Sequence, residues 1–120
     1  MIEITFKDIE PKELCDLIKT AMEDKKASDI MIIDMKKRTI ICDFFMICST
    51  ETPISAKAIS DNIEIDIKKG TGRKPRIAGY LDGNWILMDY GDIIVHIFTE
   101  ETRGFYDLEG LWEKARKLED

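Results

Sequence analysis

Apolar residues recur every three to four positions between residues 11 and 26, and this spacing places them on one face of a helix. The recurring residues are Leu14, Leu17, Ile18, Ala21 and Met22. Pro11 suits the first turn of such a helix, and Lys25 and Lys26 suit its negative end. The pattern therefore predicts a first helix over 11–26.

Other segments are short, apolar and rich in β-branched or aromatic residues, a composition typical of strands. They lie at 29–34, 40–48, 77–80, 85–89 and 92–98. The segment 40–48 is apolar on both faces, which predicts a strand buried between two layers. Ile2, Ile4 and Phe6 alternate with polar residues and predict a further short edge strand.

Start signals and spacing predict two more helices. A cap candidate within 49–52 precedes Pro53, which predicts a second helix over 53–69. The residues expected to be buried on it are Ile54, Ala58, Ile59 and Ile63. A final helix over 104–118 is predicted by the spacing of Leu108, Leu111, Trp112, Ala115 and Leu118. The order α-β-β-α-β-β-β-α predicts a single-domain α/β sandwich over 1–120, with a mixed sheet of about five strands and packed helices.

Composition adds limits on function. A chain of 120 residues, 44% of them hydrophobic, suffices for one core. It has no apolar run of the roughly 18 residues that span a bilayer, and its first residues lack the features of a signal or transit peptide. We therefore expect a cytoplasmic protein with no membrane partner.

The formal net charge of −6 indicates the class of partner. Nucleic-acid affinity depends on Lys and Arg residues that displace counterions, so an acidic chain is not expected to be a primary nucleic-acid binder. Its charge would attract a basic protein instead. The segment 70–76 departs from this balance and is predicted to be a flexible basic loop.

The cysteines and the single histidine argue against a metal site. Cys15, Cys42 and Cys48 leave one thiol unpaired in any disulfide scheme, and none lies in a C-x-x-C motif. We expect all three to be reduced and buried. With His96 as the only histidine, a zinc site would need an unusual ligand set. No metal or other cofactor is predicted.

Enzyme interpretations find little support in the residues. Gly70-Thr71-Gly72 lacks the spacing of a phosphate loop or a dinucleotide fingerprint. Ser49 and Thr50 lie between a strand and a helix, where amides could bind phosphate, but helix capping is the simpler interpretation. His96 lies on an apolar strand without an identified nucleophile and is predicted to be a hydrogen-bonded structural histidine. We predict no catalytic residue.

The hairpin 85–98 contains the most informative polar residues. A two-residue turn at Tyr90-Gly91 would pair Asp89 with Asp92, and it would also pair Leu87 with Ile94 and Trp85 with His96. Alternation then places these six side chains on one face, with an apolar opposite face in the core. A bulge at Gly91 would change this register.

Two carboxylates about 5 Å apart repel each other by about 0.8 kcal/mol in water. Such a pair could share a proton or a metal, or receive a basic side chain from a partner. Trp85 on the same face favours docking, because tryptophan is enriched at the centres of interfaces. Turn capping by both aspartates explains the same residues equally well.

Three stretches together resemble the ribosomal silencing factor family, also called Iojap-like. The first runs from Asp29 to Asp34 and continues at 43–48, the second is the hairpin 85–96, and the third is 100–112. The resemblance covers roughly residues 12–113 in the family's order and spacing. Two positions depart from the family pattern: Ile54 stands where an arginine is common, and Ala78 stands where a glutamate is usual.

The resemblance implies a non-enzymatic protein with a fold related to nucleotidyltransferases, but without their catalytic acids. It implies binding to large-subunit ribosomal protein number fourteen and steric exclusion of the small subunit, which represses translation; it also allows a homodimer. The partner-binding residues that it implies are Trp85, Asp89, Tyr90, Asp92, Glu100, Glu101, Arg103 and Tyr106. The alternative is a nucleotide- or small-ligand-binding domain built on the same sheet.

Overall fold

The computed structural model describes residues 9–37, 42–107 and 110, apart from the side chains of 105 and 106. The helices are α1 (Pro11–Asp24), α2 (Pro53–Thr71) and α3 (Glu100–Tyr106). The strands are β1 (Ser28–Asp34), β2 (Phe44–Thr50), β3 (Arg76–Ala78), β4 (Trp85–Asp89) and β5 (Ile93–Thr99). The predicted order of elements is confirmed.

The five strands form one mixed sheet in the order β1-β2-β5-β4-β3. The neighbours β2 and β5 are parallel, and every other neighbouring pair is antiparallel. The predicted α/β architecture with a mixed, five-stranded sheet is therefore confirmed. The central position of β5 places its residues between the long strand β2 and the hairpin partner β4.

Helices α1 and α2 cover one face of the sheet, which we call the helix face. Leu14 and Ile18 from α1 and Ile59 and Ile63 from α2 are fully buried there. They pack against alternate residues of the strands, which are Met46, Cys48, Ile86, Met88, Ile93, Val95 and Ile97. Burying one such large side chain contributes about 1.5–3 kcal/mol, so this layer dominates the stability of the fold.

The other side chains of the central strands lie on the opposite, outer face. Phe45, Trp85, His96 and Phe98 form an aromatic cluster there, in which Trp85 and Phe98 have ring centroids 4.9 Å apart. Phe98 is fully buried and His96 is 4% exposed. Strand alternation thus produces two different layers, one aliphatic and one aromatic.

Local signals explain where the helices begin and end. Pro11 and Pro53 occupy the first turns of α1 and α2. The hydroxyl of Thr52 accepts a 3.1 Å hydrogen bond from the Ser55 N–H and caps α2. Gly72 caps the end of α2, and its φ of 77° lies in the left-handed region that glycine adopts without strain.

Several predicted boundaries were wrong. The second strand begins at Phe44, so Cys42 precedes it. Helix α3 starts at Glu100 and ends at Tyr106, so it overlaps only the start of the final helix predicted over 104–118. All five predicted apolar positions of that helix lie outside the described residues, as does the edge strand predicted at Ile2–Phe6. Ile54 is 80% exposed because it points away from the sheet at the start of α2, where Ala56 is buried instead. Ala58 and Leu17 are also exposed.

The cysteines lie in the core, as predicted. Cys15, Cys42 and Cys48 are free and buried, and burial raises the pKa of Cys15 and of Cys48 to about 12. Thiols with a raised pKa form little thiolate and react slowly. Among the helices in the described ranges, none is long and apolar enough to cross a membrane.

Candidate functional site

The hairpin between β4 and β5 has a register that differs from the predicted one by two residues. Asp89 pairs with Ile94, Leu87 with His96, and Trp85 with Phe98. The predicted pairing of Asp89 with Asp92 was therefore wrong. Because the difference is an even number, Trp85, Leu87 and Asp89 still share a face with His96, as predicted.

Burial of Tyr90 explains the shifted register. Tyr90 is 5% exposed and packs in the core on the helix face, so the strand pairing continues past Asp89. The Tyr90 N–H donates a 2.9 Å hydrogen bond to the Ile93 carbonyl, which leaves Gly91 and Asp92 as the turn. Gly91 has a φ of 91°, a conformation that favours glycine. Tyr90 was predicted to bind a partner, but its side chain is not available at the surface.

Asp92 is held inside the protein by Arg73, which follows helix α2. The guanidinium donates to both carboxylate oxygens of Asp92, at 2.8 and 3.2 Å, and also to the carbonyl oxygen of Tyr90. Such bidentate pairing is the strong form of an arginine–carboxylate interaction. The Asp92 carboxylate is therefore paired within the chain, and the predicted repulsion between two hairpin acids does not arise.

The ion pair predicts a stability effect for Asp92→Asn. The Arg73 and Asp92 side chains are only 31% and 26% exposed, so losing the carboxylate should lower the free energy of unfolding by about 1–2 kcal/mol. Urea denaturation measures this change. The same substitution at Asp89 is the matched control and should have a smaller effect; equal effects at the two positions would contradict a structural role for the ion pair.

Asp89 lies on the outer face at the end of β4 and is partly exposed. Its carboxylate accepts a 2.7 Å hydrogen bond from the Gly91 N–H, which is the turn-capping role expected of aspartate. Arg76 lies opposite Asp89 on β3. One carboxylate oxygen of Asp89 thus caps the turn, and the carboxylate remains accessible from solvent.

Trp85 and His96 are joined by a hydrogen bond on the outer face. The indole Nε1–H donates to His96 Nδ1 at 3.0 Å, which supports the prediction of a hydrogen-bonded structural histidine. Burial lowers the pKa of His96 to about 4, so the ring is neutral at physiological pH. Trp85 is partly exposed, and its ring therefore contributes both to the aromatic cluster and to the surface.

The remaining predicted contact residues lie on α3. The Thr99 N–H donates a 3.0 Å hydrogen bond to the Asn84 carbonyl, so α3 begins beside the Trp85 end of β4. Glu100 and Glu101, in its first turn, are exposed. The Tyr106 side chain lies outside the described part of the chain.

Arg103 is engaged within the fold. Its guanidinium donates to the Asp29 carbonyl at 2.6 Å and to the Ser49 hydroxyl at 2.7 Å, and so links α3 to β1 and β2. The family resemblance implied that Arg103 is a contact residue, whereas the structure gives it an internal role that no local signal indicated.

The accessible acids among the predicted contact residues therefore lie at the two ends of β4 and not in one cluster. Asp89 marks one end, and Glu100 and Glu101 follow the other. Four residue steps of about 3.4 Å separate Trp85 from Asp89, a distance of about 14 Å along the strand. We call this strip of Trp85, Asp89, Glu100 and Glu101 the acidic strip. Its length suits a protein surface better than a single small ion.

The positions considered for phosphate binding are used structurally. Ser49 and Thr50 are buried in β2, and the cap of α2 is Thr52, so the prediction that they cap the helix was wrong. Gly70 and Thr71 belong to α2 rather than to a loop. Among the described residues, no group of three or more histidine, cysteine or acidic side chains is arranged to hold a metal ion.

Comparison with known proteins gives consistent matches. A family model described as "Ribosomal silencing factor during starvation" matches residues 8–120. A ribosomal silencing factor from Halalkalibacterium halodurans is 34% identical over 108 residues, covering 90% of this chain and 92% of that protein. One from Bacillus subtilis is 31% identical over 104 residues, covering 87% and 88%. A crystal structure of a protein from Chromobacterium violaceum has a TM-score of 0.84 at 29% identity and covers 88% of each chain.

Proposed function

Because the chain belongs to the ribosomal silencing factor family, we propose that it binds the large ribosomal subunit through ribosomal protein number fourteen. The bound protein then prevents the small subunit from joining, and translation falls. The family match over residues 8–120 is the observation that carries this proposal. The action is non-enzymatic, in keeping with the regulatory name that the relatives bear.

The surface chemistry supports a basic protein partner. The chain has a net charge of −6, and the carboxylates of Glu100 and Glu101 form no ion pair within the described ranges. Charges of this kind steer a basic partner and fix its orientation more than they add affinity. Trp85, between the two acidic ends, supplies an apolar contact of the type that concentrates binding energy. The acidic strip is therefore the docking surface in this proposal.

Size alone can account for the block. The 120-residue chain has a radius of gyration of 14.6 Å and extends over 53 × 36 × 21 Å along its principal axes. A body of that size on the joining surface of one subunit holds the other subunit away, and no chemistry is needed. The degree of silencing then depends on the fraction of large subunits that carry the protein, because unbound large subunits can still join small subunits.

The direct test uses purified ribosomal subunits. The protein should sediment with large subunits in the absence of nucleotide, and large subunits incubated with it should fail to form joined ribosomes. Failure to bind large subunits would overturn the proposal. Stoichiometric, magnesium-dependent nucleotide binding in calorimetry, without subunit binding, would favour the small-ligand alternative instead.

Glu100→Gln/Glu101→Gln should weaken binding to large subunits by a few-fold. Each exposed charge pair typically contributes about 0.2–1 kcal/mol, and both side chains are exposed. The loss should appear mainly in the association rate at low salt. Glu23→Gln/Asp24→Asn, at the far end of α1, removes the same charge from exposed positions; if it weakens binding equally, net charge rather than the acidic strip controls affinity.

A further inference from the structure

The most positively charged nine-residue stretch of this acidic chain runs from Lys68 to Arg76. This stretch of nine residues carries five of the chain's 18 Lys and Arg residues and none of its 24 Asp and Glu residues. Lys68, Lys69, Lys74 and Arg76 are exposed, and we call these four side chains the basic corner. The acidic strip does not account for them, because a basic protein partner would repel them.

The segment is ordered by its own hydrogen bonds. Lys68 and Lys69 extend from the last turn of α2. The Thr71 hydroxyl donates to the Ile67 carbonyl at 2.8 Å and accepts from the Arg73 N–H at 3.2 Å. The Gly72 N–H closes the helix on the Lys68 carbonyl. The segment 70–76, predicted to be a flexible loop, is therefore the capped end of α2 followed by residues that Arg73 attaches to the hairpin turn.

Arg73 fixes the basic corner beside the acidic strip. Its guanidinium forms an ion pair with Asp92 and donates a hydrogen bond to the Tyr90 carbonyl, and both residues follow Asp89 at the hairpin turn. Arg76 lies across from Asp89 in the β3–β4 pairing. The basic corner and the acidic strip thus meet at the Asp89 end of the hairpin. When a partner protein binds the acidic strip, the molecules next to that partner lie against the basic corner.

We propose that the basic corner contacts the phosphate backbone of ribosomal RNA next to the protein that the acidic strip binds. The inference rests on the proposed function, which brings the chain to an RNA-rich particle. Exposed lysines release counterions when they approach phosphates, and this term strengthens binding at low salt. Phosphate contacts position a protein without reading sequence, so the basic corner sets the orientation of the bound domain.

The test compares two triple variants that remove equal charge. Lys68→Gln/Lys69→Gln/Lys74→Gln changes the basic corner and leaves Arg73 and Arg76 in place. Lys12→Gln/Lys19→Gln/Lys25→Gln changes three exposed lysines of α1 and its cap, and is the matched control. Affinity for large subunits is measured at several salt concentrations, and affinity for isolated ribosomal protein number fourteen is measured by calorimetry.

The basic-corner variant should lose at least tenfold in affinity for large subunits at low salt, and its salt dependence should be flatter. Each lost phosphate contact removes about 0.7–0.9 from the slope of log affinity against log salt. Its affinity for the isolated protein should match wild type, and the α1 variant should behave as wild type in both assays.

Three results would overturn the RNA contact alone: unchanged binding of the basic-corner variant, an equal loss in the α1 variant, or an equal loss with the isolated protein. If the wild type does not bind large subunits at all, the proposed function fails and the RNA contact fails with it. The two failures are therefore distinguishable by the wild-type measurement.

Discussion

Asp89→Asn should reduce affinity for the large subunit by roughly 30-fold to several-thousand-fold, the cost of removing one member of a desolvated ion pair. Asp89 is the accessible acid at the turn end of the acidic strip, while Asp92 is already paired with Arg73. At the turn end of the acidic strip, a basic side chain of the partner would therefore form its ion pair with Asp89. Subunit joining should no longer be blocked at concentrations where the wild type is effective.

The fold should tolerate this substitution. An asparagine side-chain oxygen can accept the same hydrogen bond from the Gly91 N–H. Arg76 lies opposite Asp89 on β3, and removing one charge from such a solvent-accessible cross-strand position costs less than about 1 kcal/mol. Asp92→Asn is the informative comparison, because it should lower stability and affect binding less. If Asp89→Asn blocks joining as well as wild type, the turn-capping interpretation is sufficient and the docking surface lies elsewhere.

Acidification should destabilise the protein through His96. The native pKa of about 4 lies below the usual value near 6.5, so the unfolded chain binds the proton more readily. The stability contributed by the neutral ring is fully present above pH 6.5 and is lost as the pH falls towards 4. A shift of this size corresponds to on the order of 3 kcal/mol, with about 2 kcal/mol lost between pH 7 and pH 5.

The geometry gives a second reason for the low pKa of His96. Indole N–H groups only donate hydrogen bonds, so His96 Nδ1 must be the unprotonated acceptor for Trp85. Protonating that nitrogen would break the bond inside an aromatic cluster. The proton of the neutral ring then resides on Nε2, a buried atom that has no hydrogen-bond partner among the described residues.

The single histidine makes this prediction direct to measure. One set of imidazole resonances should stay in the neutral position down to about pH 5 in the folded protein. The unfolding free energy of the wild type should fall between pH 7 and pH 5, and in His96→Gln this fall should be smaller by about 2 kcal/mol. The part of the fall that comes from Asp and Glu carboxylates should be the same in both proteins. A titration midpoint between 6 and 7 in the folded protein would refute the assignment.

Local patterns in the sequence predicted the elements and their faces. The helical spacing in α1, the proline at each of two helix starts and the two-residue alternation in β4 and β5 all act over a few residues. They determined the element order, the α/β class and the outward orientation of Trp85 and Asp89. Burial of the three cysteines followed from their apolar surroundings. These inferences did not require knowledge of the tertiary contacts between helices and strands.

Tertiary structure decided which polar groups remain accessible. Asp92 pairs with Arg73 at a separation of 19 residues, and Arg103 reaches the Asp29 carbonyl at a separation of 74. Tyr90 packs in the core with residues of α1, α2 and the sheet, and its burial moves the turn to Gly91-Asp92. Periodicity determines the face on which a side chain lies, because it depends on backbone geometry alone. Strand register and ion-pair partners depend on the free energy of contacts between distant segments, so they appear only when the chain is folded.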